Sequence, residues 1–454
     1  MWRLRFASRV RIYRVLAARN FDDLTAAPLA PRIRVMPNEL SRRDFLALTG
    51  AGLVASGTAL QAQSGKRLFA YVASWTSGPG IGVGTGGGIS VFAVDSATGA
   101  LTPVMRTGAA FDRMNTGYLA VNPNGRFLYA TNEVESYDNE YGGGAVLTFA
   151  INQMDGSIAH VSTQPSLGVW PAYISIDKAG SRVAVANHGN YDPAVRVVKK
   201  NGVPEIEKTW DDGTVALLPI DSEGRAAAAV DVAVLERTQS VDKVTQRSAH
   251  AHSVNWDPSQ RMVVVCDKGC DRVYTYRVAN GAHTLGEGKV LKTEPGIAPR
   301  HSSFHPRLPY VFVVNERQSS LSSYRYDAST ADINLIQTIA TIPPDFTKNS
   351  SPADVHVHPN GRFVYSSNRG HDSIAIFRID EASGRMRLID IVSTQGSTPR
   401  GFNFEPDGRF LFAGNQGTGS VVTFAVDADS GKLTPTGARV EVPRPVCVQF
   451  ASLS

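Results

Sequence analysis

Cysteine is nearly absent, with three residues, Cys266, Cys270 and Cys447, in a chain of 454. So few thiols, and an odd number of them, exclude a disulfide-stapled scaffold. A Cys266–Cys270 bridge is sterically possible across a turn, but the spacing does not signal it, and buried free thiols are expected. No Cys/His spacing resembles a zinc site, and neither a metal nor another cofactor is expected. Beyond residue 65 the chain shows no sustained helical period. It also lacks any apolar run long enough to cross a membrane, so no stable span is expected. Charge is modest at 19%, and its positive surplus sits at one end. Residues 1–62 hold ten arginines, no lysine and four acids, a surplus of six; set against +5 for the whole chain, this leaves −1 for the rest. A nearly neutral body offers no broad basic footprint, so no nucleic-acid partner is expected.

The basic end reads as an N-terminal extension followed by an export signal, together residues 1–62. The segment "SRRDFLALTGAGLVASGTALQA" places the twin arginines Arg42 and Arg43 before a short run rich in Ala, Gly and Leu. That pattern addresses a bacterial precursor to the twin-arginine export machinery, with cleavage after Ala59 or Ala62. A periplasmic or secreted location follows. Residues 1–35 precede Met36 and are read as the product of a start codon assigned too early; the alternative is a cytoplasmic amphipathic extension.

What the chain has in abundance is a repeat. An apolar segment, a turn and a second apolar segment recur, and the second closes on Asn, Asp or Ser. The clearest copies are "YLAVNPNGRFLYATN" ending at Asn132, "DVHVHPNGRFVYSSN" at Asn368 and "GFNFEPDGRFLFAGN" at Asn415. Others end at Asn187, Asp267, Asn315 and near Ser74. Alternating apolar residues and Pro-Asn-Gly or Pro-Asp-Gly turns are strand and hairpin signals. Repeats about 47 to 58 residues apart, with one gap of about 80 after Asn187, predict an all-β fold: a single seven-bladed β-propeller with four-stranded blades over residues 65–454. The opening "KRLFAYVAS" lacks a preceding strand, and residues 445–450 can supply it, so both termini share one blade. The unusually long gap after Asn187 holds a polar insertion, about 190–212, expected to be a surface hairpin or lid.

In each blade the start of the first strand and the end of the second share one rim. His250 and His252 begin the inner strand of one blade, and a spacing of two directs both to one face. Arg300, Glu316, Asp354 and Arg369 hold equivalent places in the next two blades. Two histidines, two arginines and a carboxylate thus converge. His252 with Glu316 could form the base pair, the carboxylate hydrogen-bonding and orienting the imidazole, while Arg300 and Arg369 could fork onto an anionic oxygen. Glu133, in the acidic segment 132–144, and His188, in "HGNY", share that rim as candidate substrate-binding residues. A calcium role for Glu133 and Glu135 matches no known calcium loop. The glycine-rich stretch at 80–90 has no helix behind it and is read as a rim loop, not a phosphate cradle. Taken singly, each of these residues has a structural reading: a core histidine, or an Arg–Glu pair tying blades together. His356 and His358 flank a turn on the other rim and are read as structural.

The motifs "AHAHSV", "APRHSSFHP", "VVNE", "SPADVHVHPNGRFVYSSNRGHDSIAIF" and the closing "STPRGFNFEPDGRFLFAGNQ…VPRPVCVQF" resemble the seven-bladed propeller lactonase family, from about residue 67 onward. That family includes propeller-type 6-phosphogluconolactonases and fungal carboxy-muconate lactonizing enzymes. The resemblance implies a metal-independent lactone hydrolase with a site at His252, Arg300, Glu316 and Arg369. The substrate it implies is a small-molecule sugar or carboxylated lactone. The alternatives are a muconate-type lactonizing cycloisomerase and a non-catalytic ligand-binding propeller. His188 and the insertion depart from the family pattern. Export also argues against a phosphorylated sugar lactone, a cytoplasmic metabolite, as the natural substrate.

Overall fold

The second strand of a repeat is buried on both faces, as in Met262–Asp267 and Phe410–Asn415, and the turns reverse the chain, so each unit becomes an antiparallel strand pair with two further strands outside it. The computed structural model describes residues 66–76, 87–112, 114–137, 142–279 and 284–454. These residues build seven four-stranded sheets and one separate two-stranded sheet. The export signal, its cleavage sites and most of the glycine-rich stretch at 80–90 lie outside the described residues.

The chain forms the expected seven-bladed propeller. Blades 2 to 7 begin with the innermost strands Thr116–Val121, Pro171–Ile176, Ala251–Trp256, Pro299–Phe304, Ser351–Val357 and Pro399–Phe404. Blade 1 takes its innermost strand, Pro445–Leu453, from the C-terminus and its other three, starting with Arg67–Ser74, from the N-terminal part. The two pair antiparallel from Arg67↔Leu453 to Ser74↔Pro445. Consecutive innermost strands touch in a closed cycle, Pro445–Leu453 meeting both Pro399–Phe404 and Thr116–Val121.

Neighbouring blades are stapled by one recurring device. A tyrosine on the second strand donates its hydroxyl to a carbonyl in an outer turn of the next blade: Tyr71 to Gly156 (3.0 Å), Tyr129 to Gly224 (2.8 Å) and Tyr365 to Gly431 (2.6 Å). The turn glycine has to be glycine. Gly431 has φ +79°, and a Cβ there would lie 2.6 Å from the Phe363 ring.

The long gap holds a hairpin, Ala194–Lys200 with Val203–Thr209, whose strands pair with each other and join no blade. Cys266, Cys270 and Cys447 are buried free thiols. Burial pushes the Cys266 and Cys270 thiols up to about 12, which keeps them protonated and unreactive. Among the described residues no helix is long and apolar enough to cross a membrane.

Candidate functional site

Two local rules aim side chains at one rim. In every blade the pairing of the innermost strand with its neighbour slips at the same point, leaving a β-bulge. The skipped residues include His252 in blade 4, Arg300 in blade 5 and Arg400 in blade 7. A bulge turns its extra residue out of the ladder. The second rule concerns the residue following the Asn, Asp or Ser that closes the second strand. In blades 1 to 6 this is Trp75, Glu133, His188, Lys268, Glu316 and Arg369. The closing residues themselves are structural. Asn187 donates Nδ2–H to the Ser166 carbonyl (2.7 Å), Asn368 to that of Thr341 (2.9 Å) and Asn415 to that of Thr394 (3.0 Å), tying down the rim loops.

Both sets of side chains line a cavity of about 670 Å³. Among its lining residues Glu316, 18% exposed, gathers the most charge partners. Arg369 Nη2 donates to Oε1 at 2.9 Å, Lys268 Nζ to Oε2 at 3.2 Å, and Arg300 Nε lies 3.6 Å from Oε2. Burial alone would raise the pKa of this carboxyl, but Lys268, Arg369 and Arg300 together hold it well below the usual carboxylate range. Three cations thus share one carboxylate. Arg300 is 1% exposed, donates to the Ala353 carbonyl and leaves its buried Nε without a hydrogen bond. Burial, with Arg369 and Arg400 beside it, pushes the Arg300 guanidinium down to about 9. It remains charged at neutral pH.

On the opposite wall Glu133 accepts a hydrogen bond from Trp75 Nε1 at 3.0 Å, and the Arg400 guanidinium stacks over Trp75 at 4.2 Å from the ring centre. Burial raises the Glu133 carboxyl above its ordinary value, with Arg400 and Arg300 offsetting part of the effect. Burial, Arg300 and Lys268 push His252 well below the ordinary histidine value, so its imidazole is neutral.

The geometry brings together His252, Arg300, Glu316, Arg369, Glu133 and His188, and it moves two expected site residues away. His250 precedes the bulge and lies outside the strand, so the spacing of two does not place it beside His252. It stacks on His188 at 4.3 Å and shares a hydrogen bond between Nδ1 and the His188 carbonyl at 2.9 Å, supporting the wall from behind. Asp354 is buried away from the cavity. It bonds His301 Nδ1 at 2.9 Å and His356 Nε2 at 3.1 Å, and accepts from the Phe402 backbone N–H at 3.3 Å. The expected hydrogen bond between His252 and Glu316 is not made. Glu316 is committed to cations, and His252 Nδ1 has no partner among the described residues.

Lys268, Arg400 and Trp75 complete the site without having been singled out in the sequence. A signal existed for each. "TPRGFNF" carries Arg400 at the place where "APRHSSF" carries Arg300, while Lys268 and Trp75 directly follow Asp267 and Ser74.

A seven-bladed propeller whose mouth gathers four cations, Lys268, Arg300, Arg369 and Arg400, and four carboxylates around one cavity holds a site for a small polar molecule. The chain matches the family "Lactonase, 7-bladed beta-propeller" over residues 69–450 and belongs to it. It is 31% identical to a 6-phosphogluconolactonase of Bacillus subtilis, over 74% of this chain and 87% of that protein. It is 29% identical to one of Formosa agariphila, over 62% and 73% respectively. Among solved structures, the periplasmic gluconolactonase of Pseudomonas aeruginosa superposes with a TM-score of 0.71 at 27% identity, covering 86% of this chain and all of that one.

Proposed function

We propose that this protein is a lactone hydrolase whose substrate is a sugar or carboxylated lactone, opened at the cavity between blades 1 to 7. The observation that carries this reading is the cluster of Lys268, Arg300 and Arg369 around a single carboxylate on the cavity wall. Attack of water on a lactone carbonyl builds negative charge on oxygen. Preorganised guanidinium donors in a dry site stabilise that charge without reorganising. Arg300 and Arg369 take this role. Glu316 serves as their fixed counter-charge, and neutral His252 donates a hydrogen bond to the ring oxygen, which becomes the leaving group. The names of the relatives support lactone opening as the reaction.

Export fits the twin-arginine segment and the periplasmic gluconolactonase relative. An exported enzyme meets unphosphorylated lactones, so phosphate is not required on the substrate. The test is a rate screen of the purified protein on aldonolactones with and without phosphate. The expected result is enzymatic opening of unphosphorylated aldonolactones, with turnover reduced by ~10²-fold or more in Arg300→Ala, as for loss of an oxyanion donor. An unchanged rate in that variant removes Arg300 from the mechanism. Ring closure of a muconate-type acid, in place of lactone opening, would make the enzyme a cycloisomerase.

A further inference from the structure

Hydrolysis needs a group on the cavity wall that can change its protonation state. Four carboxylates line the cavity. Glu135 accepts from Asn190 Nδ2 at 3.2 Å and Asp192 pairs with Arg247; the other two, Glu316 and Glu133, feel the charges of Arg300 and Lys268 and are built differently. Glu316 has both oxygens engaged by positive charge, at 2.9 Å from Arg369 and 3.2 Å from Lys268. Protonating it would leave three cations facing one another, so it stays ionised through the cycle. Glu133 makes no ion pair among the described residues. Its Oε2 accepts one neutral donor, Trp75 Nε1–H at 3.0 Å, and its Oε1 accepts no hydrogen bond among the described residues.

Space for this carboxylate is kept open. Blade 2 has Gly117 in the bulge where blades 4, 5 and 7 carry His252, Arg300 and Arg400. A Cβ at 117 would lie 2.5 Å from Glu133 Oε2 and 3.1 Å from its Cβ. The indole that holds Glu133 is itself held by Arg400, stacked 4.2 Å from its centre.

We propose that Glu133 is the general base of the reaction, taking the proton from the attacking water and returning it to the ring oxygen; this role rests on the lactonase reading. Water loses a proton to the Glu133 carboxylate as its oxygen bonds to the lactone carbonyl carbon. The carbonyl electron pair moves to oxygen, held by Arg300 and Arg369. Collapse re-forms the carbonyl and breaks the ring C–O bond, and the alkoxide takes the proton from Glu133. Lactone and water become a hydroxy acid, and the carboxylate is regenerated. Burial raises the proton affinity of Glu133, while the charges of Arg400, Arg300 and Lys268 lower it. The net upward direction suits a base, whose proton affinity should approach the working pH.

The test is the pH dependence of kcat/KM for opening of gluconolactone, corrected for spontaneous hydrolysis, in wild type, Glu133→Gln, Glu316→Gln and Trp75→Phe, with folding of each followed by circular dichroism. A base must be ionised, so wild-type activity should fall as pH drops, at a pH above the ordinary glutamate range. Glu133→Gln should lose ~10²-fold or more in kcat and also lose that acid limb. Glu316→Gln should retain it. Trp75→Phe removes the one hydrogen bond to the ionised form and should move the limb to higher pH, a shift that a merely structural Glu133 would not produce. An active wild type whose Glu133→Gln variant keeps both kcat and the acid limb overturns the role of Glu133 and leaves the lactonase reading standing. A folded wild type that opens no lactone overturns both.

Discussion

Glu316 illustrates how a buried charge can be cheap to hold and costly to remove. Desolvating a lone carboxylate is unfavourable, but Lys268, Arg300 and Arg369 supply more than enough positive charge to offset it. Replacing it with glutamine leaves those three cations repelling one another in a low-dielectric pocket. Glu316→Gln should therefore destabilise the fold by ~3 kcal/mol or more at neutral pH, as for breaking other buried ion pairs, read as a lower urea midpoint. The pH dependence has a definite sign. The folded pKa is depressed, so the contribution of Glu316 is complete above the unfolded glutamate value of about 4.3. It is lost only as pH falls through the lower folded value. The gap between wild type and Glu316→Gln should persist at mildly acidic pH and close in strong acid. A gap that closes by mildly acidic pH would mean that the three cations do not hold this carboxylate.

At the level of elements, the strands were legible in the sequence and the bulges were not. The Asn, Asp and Ser residues that close the second strands repeat visibly, so Glu133, His188, Glu316 and Arg369 could be placed on one rim from position alone. His250 was misplaced because an i, i+2 argument assumes an uninterrupted strand, and the pairing slips between Ala251 and Ser253. Asp354 fell to the same cause, lying in the slip between Pro352 and Val355, where its carboxylate turns to His301 and His356. Arg400 needed the two Pro-Arg steps of blades 5 and 7 to be read as one structural position. The insertion was legible as polar sequence, and its hairpin is an independent element. Val197 and Ile206 pair across it and remain 75% and 69% exposed. Its base reaches the site, since Asp192, Pro193 and Ala194 line the cavity. Ala194 and Thr209 already face each other. Deleting residues 195–208 and joining these two through a pair of glycines should change stability by less than about 1 kcal/mol, as for surface changes away from the core. KM should rise severalfold, because the cavity wall loses its support. A collapse of the thermal transition would show that the hairpin is part of the propeller core.

For the whole molecule, closing the ring and building the active cavity are one event. The innermost strand of blade 1, Pro445–Leu453, comes from the far end of the chain and buries Val446, Cys447, Val448, Ala451 and Leu453. Burying a handful of aliphatic side chains, at roughly 1.5–3 kcal/mol each for the larger ones, is comparable with the ~5–15 kcal/mol net stability of a folded domain. Ending the chain at Arg444 removes that burial and leaves Arg67–Ser74 as an open edge. The truncated protein should lose its cooperative thermal transition. Synthetic peptide 445–454 in excess should restore it in a concentration-dependent way, since a ligand that binds only the folded form stabilises it by mass action. Activity should return with the fold for a specific reason. Trp75 follows the strand that pairs with Pro445–Leu453, its backbone N–H donates to the Arg444 carbonyl at 3.1 Å, and its indole donates to Glu133. The joint between the two ends of the chain thus sets the hydrogen bond on Glu133. A truncated chain that stayed folded and kept the wild-type acid limb would show that ring closure and the cavity are independent.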